Sequence, residues 1–196
     1  MMLFHPRRKY RRLSRWIQNR PFLRSCKRKG INVMIGENSV LNHCYVKGSF
    51  GGEIIIENNC SINNCSLNFY GEGGRIIIRE GTKVNANQGV VCLFVRGETV
   101  IDIGKDCLIA HSVEISTTDF HSVLDSDGCV TNADASVMIG NHVWIGKMVT
   151  INKGVVIPND SIVGASSVVT KVFSTPNVVI AGNPAIVRKQ SINWRR

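Results

Sequence analysis

"IGNHVWIGKMVTINKGVVIPNDSIVGASSVVTKVF", residues 139–173, places an aliphatic side chain at every sixth position: Ile139, Ile145, Ile151, Ile157, Val163 and Val169. Six is too long a period for alternation within one strand and too short for a strand plus a helix. It fits a solenoid whose faces are very short parallel strands joined by tight turns. Three such faces close a triangular coil of about 18 residues, with one aliphatic side chain per face stacked on its equivalent in the next coil. The next position is glycine at Gly140, Gly146 and Gly164, and again at Gly36 and Gly104. A sharp corner there leaves little room for a Cβ. Four residues after the aliphatic position come Val143, Val149, Val155, Ser161 and Ser167, all small or β-branched.

Upstream the same beat runs through Ile103, Ile109 and Ile115. "VMIG" occurs at 33–36 and 137–140, with looser copies in "EIIIE" (53–57), "RIIIR" (75–79) and "TVIDIG" (99–104). Each alternates aliphatic residues as a strand does. The three looser copies start about 22 to 25 residues apart. The earlier coils are therefore expected to carry small loops, such as "NFYGEGG" (68–74) and "FVRGE" (94–98). Between Ile115 and Ile139 lie 24 positions, four whole beats, without the pattern. "ISTTDFHSVLDSDGCV" (115–130) is polar there and holds one histidine, His121. The expected fold is an all-β solenoid, a parallel β-helix over residues 31–187, with a long loop at 116–136. A basic helical segment (1–30) precedes it and a basic tail (188–196) follows it.

The charge is segregated. Residues 1–30 carry eleven Lys or Arg and no acid, and residues 188–196 carry four more. The 24 basic residues less these fifteen leave nine in the middle, against all 14 acids. A basic contact surface is thus expected at the termini. Pro6 is expected to open a helix and Pro21 to stop it. Tyr10, Leu13, Trp16 and Ile17 fall on one face of that helix, among arginines. Two uses compete for it. It can cover the open first coil, with its unpaired edge and Ile35 and Leu41, or meet an anionic membrane surface.

No uncharged apolar run approaches the length of a membrane span. The basic N-terminus lacks the apolar stretch and cleavage site of a signal peptide, so a cytoplasmic location is expected. The seven cysteines include no C-x-x-C pair, so no structural metal is expected and the thiols read as reduced core residues. Cys60 and Cys107 stand at small, buried positions of the beat.

The repeat, together with "VWIG" (143–146), "GASSVVTK" (164–171) and "AGNPA" (181–185), resembles the hexapeptide-repeat acyltransferase superfamily. Its maltose- and galactoside-type sugar O-acetyltransferases and their polysaccharide-pathway cousins are the nearest by motif. The resemblance covers residues 78–189. It implies a left-handed parallel β-helix, a homotrimer, acetyl-CoA as donor without a metal, and active sites between neighbouring subunits. "TTDFHSVLDSDG" stands where this family carries a loop with its catalytic histidine, and His121 matches that residue. An imidazole, ordinarily titrating near 6.5, can take the proton of a sugar hydroxyl and return it to the CoA thiolate. Asp119 is a candidate to orient it, or a plain loop cap. "VNANQG" (84–89) resembles the segment whose asparagine faces the histidine across the interface. That is Asn87, which could equally be a corner residue.

For the donor, Gly146 and Ala165 match positions whose main chain holds the pantetheine arm. Trp144 matches a tryptophan lining the site, with subunit packing as its other reading. Lys171 and Lys189 match cations near the CoA phosphates. Where relatives read "NPAKV" this chain reads "NPAIV", so Ile186 replaces a lysine and the contact passes to Arg188 or Lys189. Acidic sugar-binding residues of N-terminal helices have no match here. The acceptor is therefore expected to be a saccharide of surface polysaccharide or lipopolysaccharide assembly, including a lipid-linked one, by analogy. Other readings stay open: an antibiotic-modifying acetyltransferase of the same superfamily, and a non-catalytic scaffold with a nucleic-acid-binding tail. A zinc enzyme on the same helix is disfavoured by the histidine spacing. His111 and His142, at corners, are expected to be exposed.

Overall fold

The computed structural model describes residues 18–48 and 51–196. Over these the chain winds through three parallel sheets that face one another across a triangular core. Sheet A contains β1 (Ile31–Ile35), β4 (Gly52–Ile56), β7 (Gly74–Ile78), β10 (Val100–Ile103), β13 (Val137–Ile139) and β16 (Val156–Ile157), in that order. Sheet B contains β2 (Val40–Asn42), β5 (Ser61–Asn63), β8 (Lys83–Asn85), β11 (Leu108–Ile109), β14 (Trp144–Ile145), β17 (Ile162–Val163), β19 (Val179–Gly182) and β20 (Ala185–Lys189). Sheet C contains β3 (Tyr45–Lys47), β6 (Cys65–Tyr70), β9 (Val91–Arg96), β12 (Glu114–Ser116), β15 (Thr150–Ile151) and β18 (Val168–Val169). The expected β-solenoid is the observed fold. The one antiparallel pairing among the named strands joins β19 to β20.

The register explains the broken beat. Ile139 pairs with Ile157, 18 positions on, in the regular coils. Ile56 pairs with Ile78 and Ile78 with Ile103, offsets of 22 and 25, so the earlier coils do carry small loops. Ile103 pairs with Ile139, 36 positions on and twice the regular coil. One coil's length of chain therefore leaves the solenoid between β12 and β13, and the core closes behind it. Ile103, Ile109, Ile115, Ile145, Ile151, Val163 and Val169 are fully buried. The corner glycines are tight as expected. A Cβ on Gly104 would lie 2.3 Å from the Gly140 carbonyl oxygen, and one on Gly146 2.7 Å from the Ala165 nitrogen. Cys60 and Cys107 are buried, and burial pushes the Cys107 thiol up to about 11, far from a reactive thiolate.

Residues 18–28 are helical, and here the expectation for Pro21 is corrected: the helix runs through it to 28. Proline's fixed φ suits a helix on its C-terminal side, and only the turn before it is disturbed. Pro6, Tyr10, Leu13, Trp16 and Ile17 lie outside the described residues. The helix segment covers the first coil. Phe22 and Cys26 join the core with Ile31 and Leu41. Asn19 acts as a substitute strand edge, accepting from Leu41 N at 3.0 Å and donating to Ser39 O at 3.2 Å. Arg20, Arg24, Lys27 and Arg28 lie on the opposite, exposed side of this helix. Among the described residues no helix is long and apolar enough to cross a membrane.

Candidate active site

The excursion leaves and re-enters the solenoid at the corner between sheets C and A, and its base is pinned. Thr117 N donates to Phe94 O at 2.9 Å and Ala135 N to Thr117 O at 3.0 Å. Ser116 Oγ donates to Thr118 O at 2.6 Å, and Phe120 N to Thr118 Oγ1 at 3.0 Å. His121 follows, exposed, with its N–H on Asp119 O at 2.8 Å. Asn132 returns from the far side of the loop, and its amide donates to both His121 O and Asp119 Oδ2 at 2.9 Å. Lys153, from the next coil, puts Nζ 2.6 Å from Asp119 Oδ2 and also donates to Asn132 O. The Lys153 and Asn132 hydrogen bonds hold the Asp119 carboxyl below the usual carboxylate range. Its carboxylate is thus engaged by an ammonium and an amide, which fix the loop that carries His121.

The other candidates gather at a different corner, between sheets B and C. Asn87 follows β8, Gly146 follows β14, and Ala165 follows β17. The coils stack this edge: Ala110 N donates to Ile145 O at 3.0 Å, and Gly146 N and Gly164 N donate to Val163 O and Ile180 O at 2.8 Å. Asn87 and Ala165 are exposed on it. Arg188 of β20 reaches the same edge, its Nε donating to Ala181 O at 3.1 Å. Lys189 pairs with Val179, at the far end of β19 from Gly182. Lys171 lies beyond β18, on the corner of His121, with Nζ 5.6 Å from the Phe173 ring centre. Within one chain His121, Asp119 and Lys171 therefore share one corner and Asn87, Gly146, Ala165 and Arg188 another, while Trp144 and Lys189 lie on sheet B away from both. A depression of about 420 Å³ lies elsewhere, on the outer face of sheet A between Arg79, Asp102, Met138 and Pro176, and no candidate residue lines it.

Trp144 stands on the outer face of sheet B between Leu108 and Ile162, 40% exposed. Trp194 of the C-terminal tail packs beside it, ring centres 6.0 Å apart. Trp194 is only 7% exposed, stacks on His142 at 4.3 Å and 8°, and donates Nε1–H to His142 O at 2.9 Å. His142 also meets Asp160 at 2.9 Å. The expectation of two exposed corner histidines is corrected: His142 is half-buried under this tail, and His111 is half-buried beside Ser112. The sequence carried no sign of the Trp194 stack beyond a tryptophan in a polar tail.

No family model matches the chain. It is 38% identical over 122 residues to the polysialic acid O-acetyltransferase of Neisseria meningitidis, covering 52% of this chain and 55% of that one. It is 34% identical over 157 residues to a candidate lipopolysaccharide biosynthesis O-acetyl transferase of Escherichia coli K12, WbbJ, covering 75% and 76%. The crystal structure of the polysialic acid O-acetyltransferase OatWY superposes with a TM-score of 0.66 at 32% identity, over 85% of this chain and 88% of that one. The chain belongs to the hexapeptide-repeat acyltransferase superfamily. The matches to the meningococcal enzyme and to the Escherichia coli K12 galactoside O-acetyltransferase span 55% and 57% of those relatives' lengths.

Proposed function

We propose that this chain is an acetyl-CoA-dependent O-acetyltransferase that acetylates a saccharide hydroxyl in surface polysaccharide or lipopolysaccharide assembly. The observation that carries the reading is the division of the candidates between two corners, with His121 on a pinned, exposed loop at one of them. The corner bearing His121 and Lys171 on one copy meets the corner bearing Asn87, Gly146, Ala165 and Arg188 on the next, as around the axis of a homotrimer.

In that groove the His121 imidazole takes the proton of the acceptor hydroxyl as its oxygen attacks the thioester carbonyl. The Asn87 amide donates to the oxyanion that develops. Collapse of the tetrahedral intermediate breaks the C–S bond, and the imidazolium returns the proton to the CoA thiolate. The Gly146 and Ala165 main chain holds the pantetheine arm, Trp144 walls it, and Lys171, Arg188 and Lys189 meet the phosphates. Asp119, bound to Lys153, keeps His121 in place. The enzyme works in the cytoplasm on its acetyl-CoA, and its basic N-terminal segment rests on the anionic inner membrane face, near a lipid-linked acceptor.

His121→Ala is expected to keep the fold and lose at least about 100-fold in acetyl transfer, the size of a general-base contribution. Near-normal turnover by the folded variant removes this mechanism. Lys171→Glu, Arg188→Glu and Lys189→Glu should each weaken CoA more than dephospho-CoA where they meet the 3′-phosphate. The membrane contact is read separately, as salt-sensitive binding to vesicles of anionic lipid, and a protein that ignores them at low salt lacks it.

A further inference from the structure

Beside His121 stands a cluster of three aromatic rings with no role in the chemistry just described. Phe120 is its immediate neighbour in the chain. Its ring lies 5.3 Å from that of Tyr70 and 5.5 Å from that of Phe94, near-perpendicular to both at 84° and 85°. Tyr70 and Phe94 lie within 30° of parallel, 6.4 Å apart. The rings thus form two walls at a right angle. They are not core: Tyr70 is 41% and Phe120 39% exposed. Each comes from a different coil, at the end of β6, in β9 and after β12, so the register of the solenoid is what brings them together.

Phe120 is also held in a conformation that a bulky residue avoids, with φ at 64°. Its N–H is fixed on Thr118 Oγ1 and its carbonyl on Arg96 Nη1 at 3.1 Å. Backbone strain of this kind persists where surroundings impose it, and the turns of this solenoid impose it on twelve other described non-glycine residues as well. Here burial does not offset it. Polar groups belong to the same loop: Arg96 donates to Phe120 O, and next to Phe120 in the chain Asp119 is bound by Asn132 and Lys153.

We propose that Tyr70, Phe94 and Phe120 form the wall of the acceptor site, stacking on the C–H face of a pyranose ring whose hydroxyl meets His121. This rests on the acetyl-transfer reading above. A pyranose carries hydroxyls around its rim and patches of C–H on its faces, and those C–H groups suit the negative face of an aromatic ring. Exposed rings at a loop that also carries hydrogen-bonding groups match that distribution. The adenine of CoA does not fit here. The thioester must lie at His121, which leaves adenine a pantetheine arm away, on the side of Arg188.

The test uses acetyl-CoA, two probes (methyl β-D-galactopyranoside and a sialic acid trimer) and the variants Phe120→Gly and Tyr70→Ala. Glycine adopts the positive φ freely, so Phe120→Gly removes the ring without disturbing the loop. The saccharide KM is expected to rise about tenfold in each variant, a stacking contact's share of affinity. The acetyl-CoA KM should stay within about twofold. Saturation-transfer NMR reads binding without turnover, and the probe's ring C–H signals should fade in Phe120→Gly. Unchanged saccharide KM in both variants, a raised acetyl-CoA KM instead, or a changed oligomeric state overturns the wall. So does a wild-type protein that saturates neither probe. If His121→Ala abolishes transfer while both aromatic variants behave as wild type, the acetyl-transfer reading stands and only the wall falls.

Discussion

Lys153→Met tests how the loop is held. The substitution keeps the side chain's apolar stem and removes its ammonium. In the native protein Lys153 is 17% exposed and its Nζ lies 2.6 Å from Asp119 Oδ2, with Asn132 O as a second acceptor. Asp119 is 46% exposed, so water replaces the lost partner. The cost is then that of a partly screened pair, about 1 kcal/mol, rather than the several kcal/mol of stranding a buried charge. Opening of residues 117–136 should become about fivefold more frequent. Hydrogen exchange reads this directly. The amides of Ala135 and Thr131, bonded to Thr117 O and Val123 O, should exchange about fivefold faster. Those of Ile109, Ile145 and Ile151 within the sheets should not change. Acid should imitate the substitution. The folded carboxyl of Asp119 is lowered, so its contribution is complete above the ordinary value of about 3.9 and is lost as pH falls through the folded one. Lys153→Met should weaken that acid sensitivity, leaving only the part due to the Asn132 amide. Equal acceleration in the sheets would mean that Lys153 supports the whole coil, and unchanged loop exchange would mean that the pair holds nothing; either result refutes the reasoning.

Trp194→Ala removes a stack on His142 and an indole hydrogen bond, but from an outer face that water can refill. The expected loss is about 2–3 kcal/mol, below that of a core tryptophan, or roughly 4–10 °C in Tm, and a shift under about 2 °C would show that the tail is dispensable. Gly146→Ala drives a Cβ to 2.7 Å from the Ala165 nitrogen and 3.0 Å from Val163 O, backbone atoms that cannot step aside. It should destabilise by about 1–3 kcal/mol, as overpacking does. Gly51→Ala is its control: the nearest atom to the new Cβ is Gly30 O at 3.5 Å, and denaturant unfolding should find it neutral or stabilised by up to about 1 kcal/mol.

The solenoid was legible because one inward residue per face is a local, periodic demand, and Ile139 to Val169 meet it without a gap. The loop was legible as silence in the same beat, since chain that does not face the core is free to be polar. The two corners were also implicit, because a position in the six-residue count is a position on the triangle. What lay outside the sequence depends on contacts between coils of unequal length. Tyr70, Phe94 and Phe120 meet only through unequal registers set by the small loops, with Tyr70 paired to Arg96, 26 positions on, and Phe94 to Ser116, 22 positions on. Trp194 reaches His142 across 52 positions. Pro21 misled because proline marks where a helix is disturbed, and the turn affected precedes it. Nothing in the sequence marked Lys153, since its partnership with Asp119 needed the loop to fold back over the next coil.

The most direct test of a site shared between copies is subunit complementation. His121→Ala removes the base from one corner, and Ala165→Trp fills the donor edge of the other. Each variant alone should be inactive. Co-assembled at equal amounts under separate affinity tags, about a quarter of the grooves should pair an intact His121 corner with an intact Ala165 corner, and about a quarter of wild-type activity should return. Mixed oligomers, verified by both tags, that remain as inactive as either parent would contradict the account.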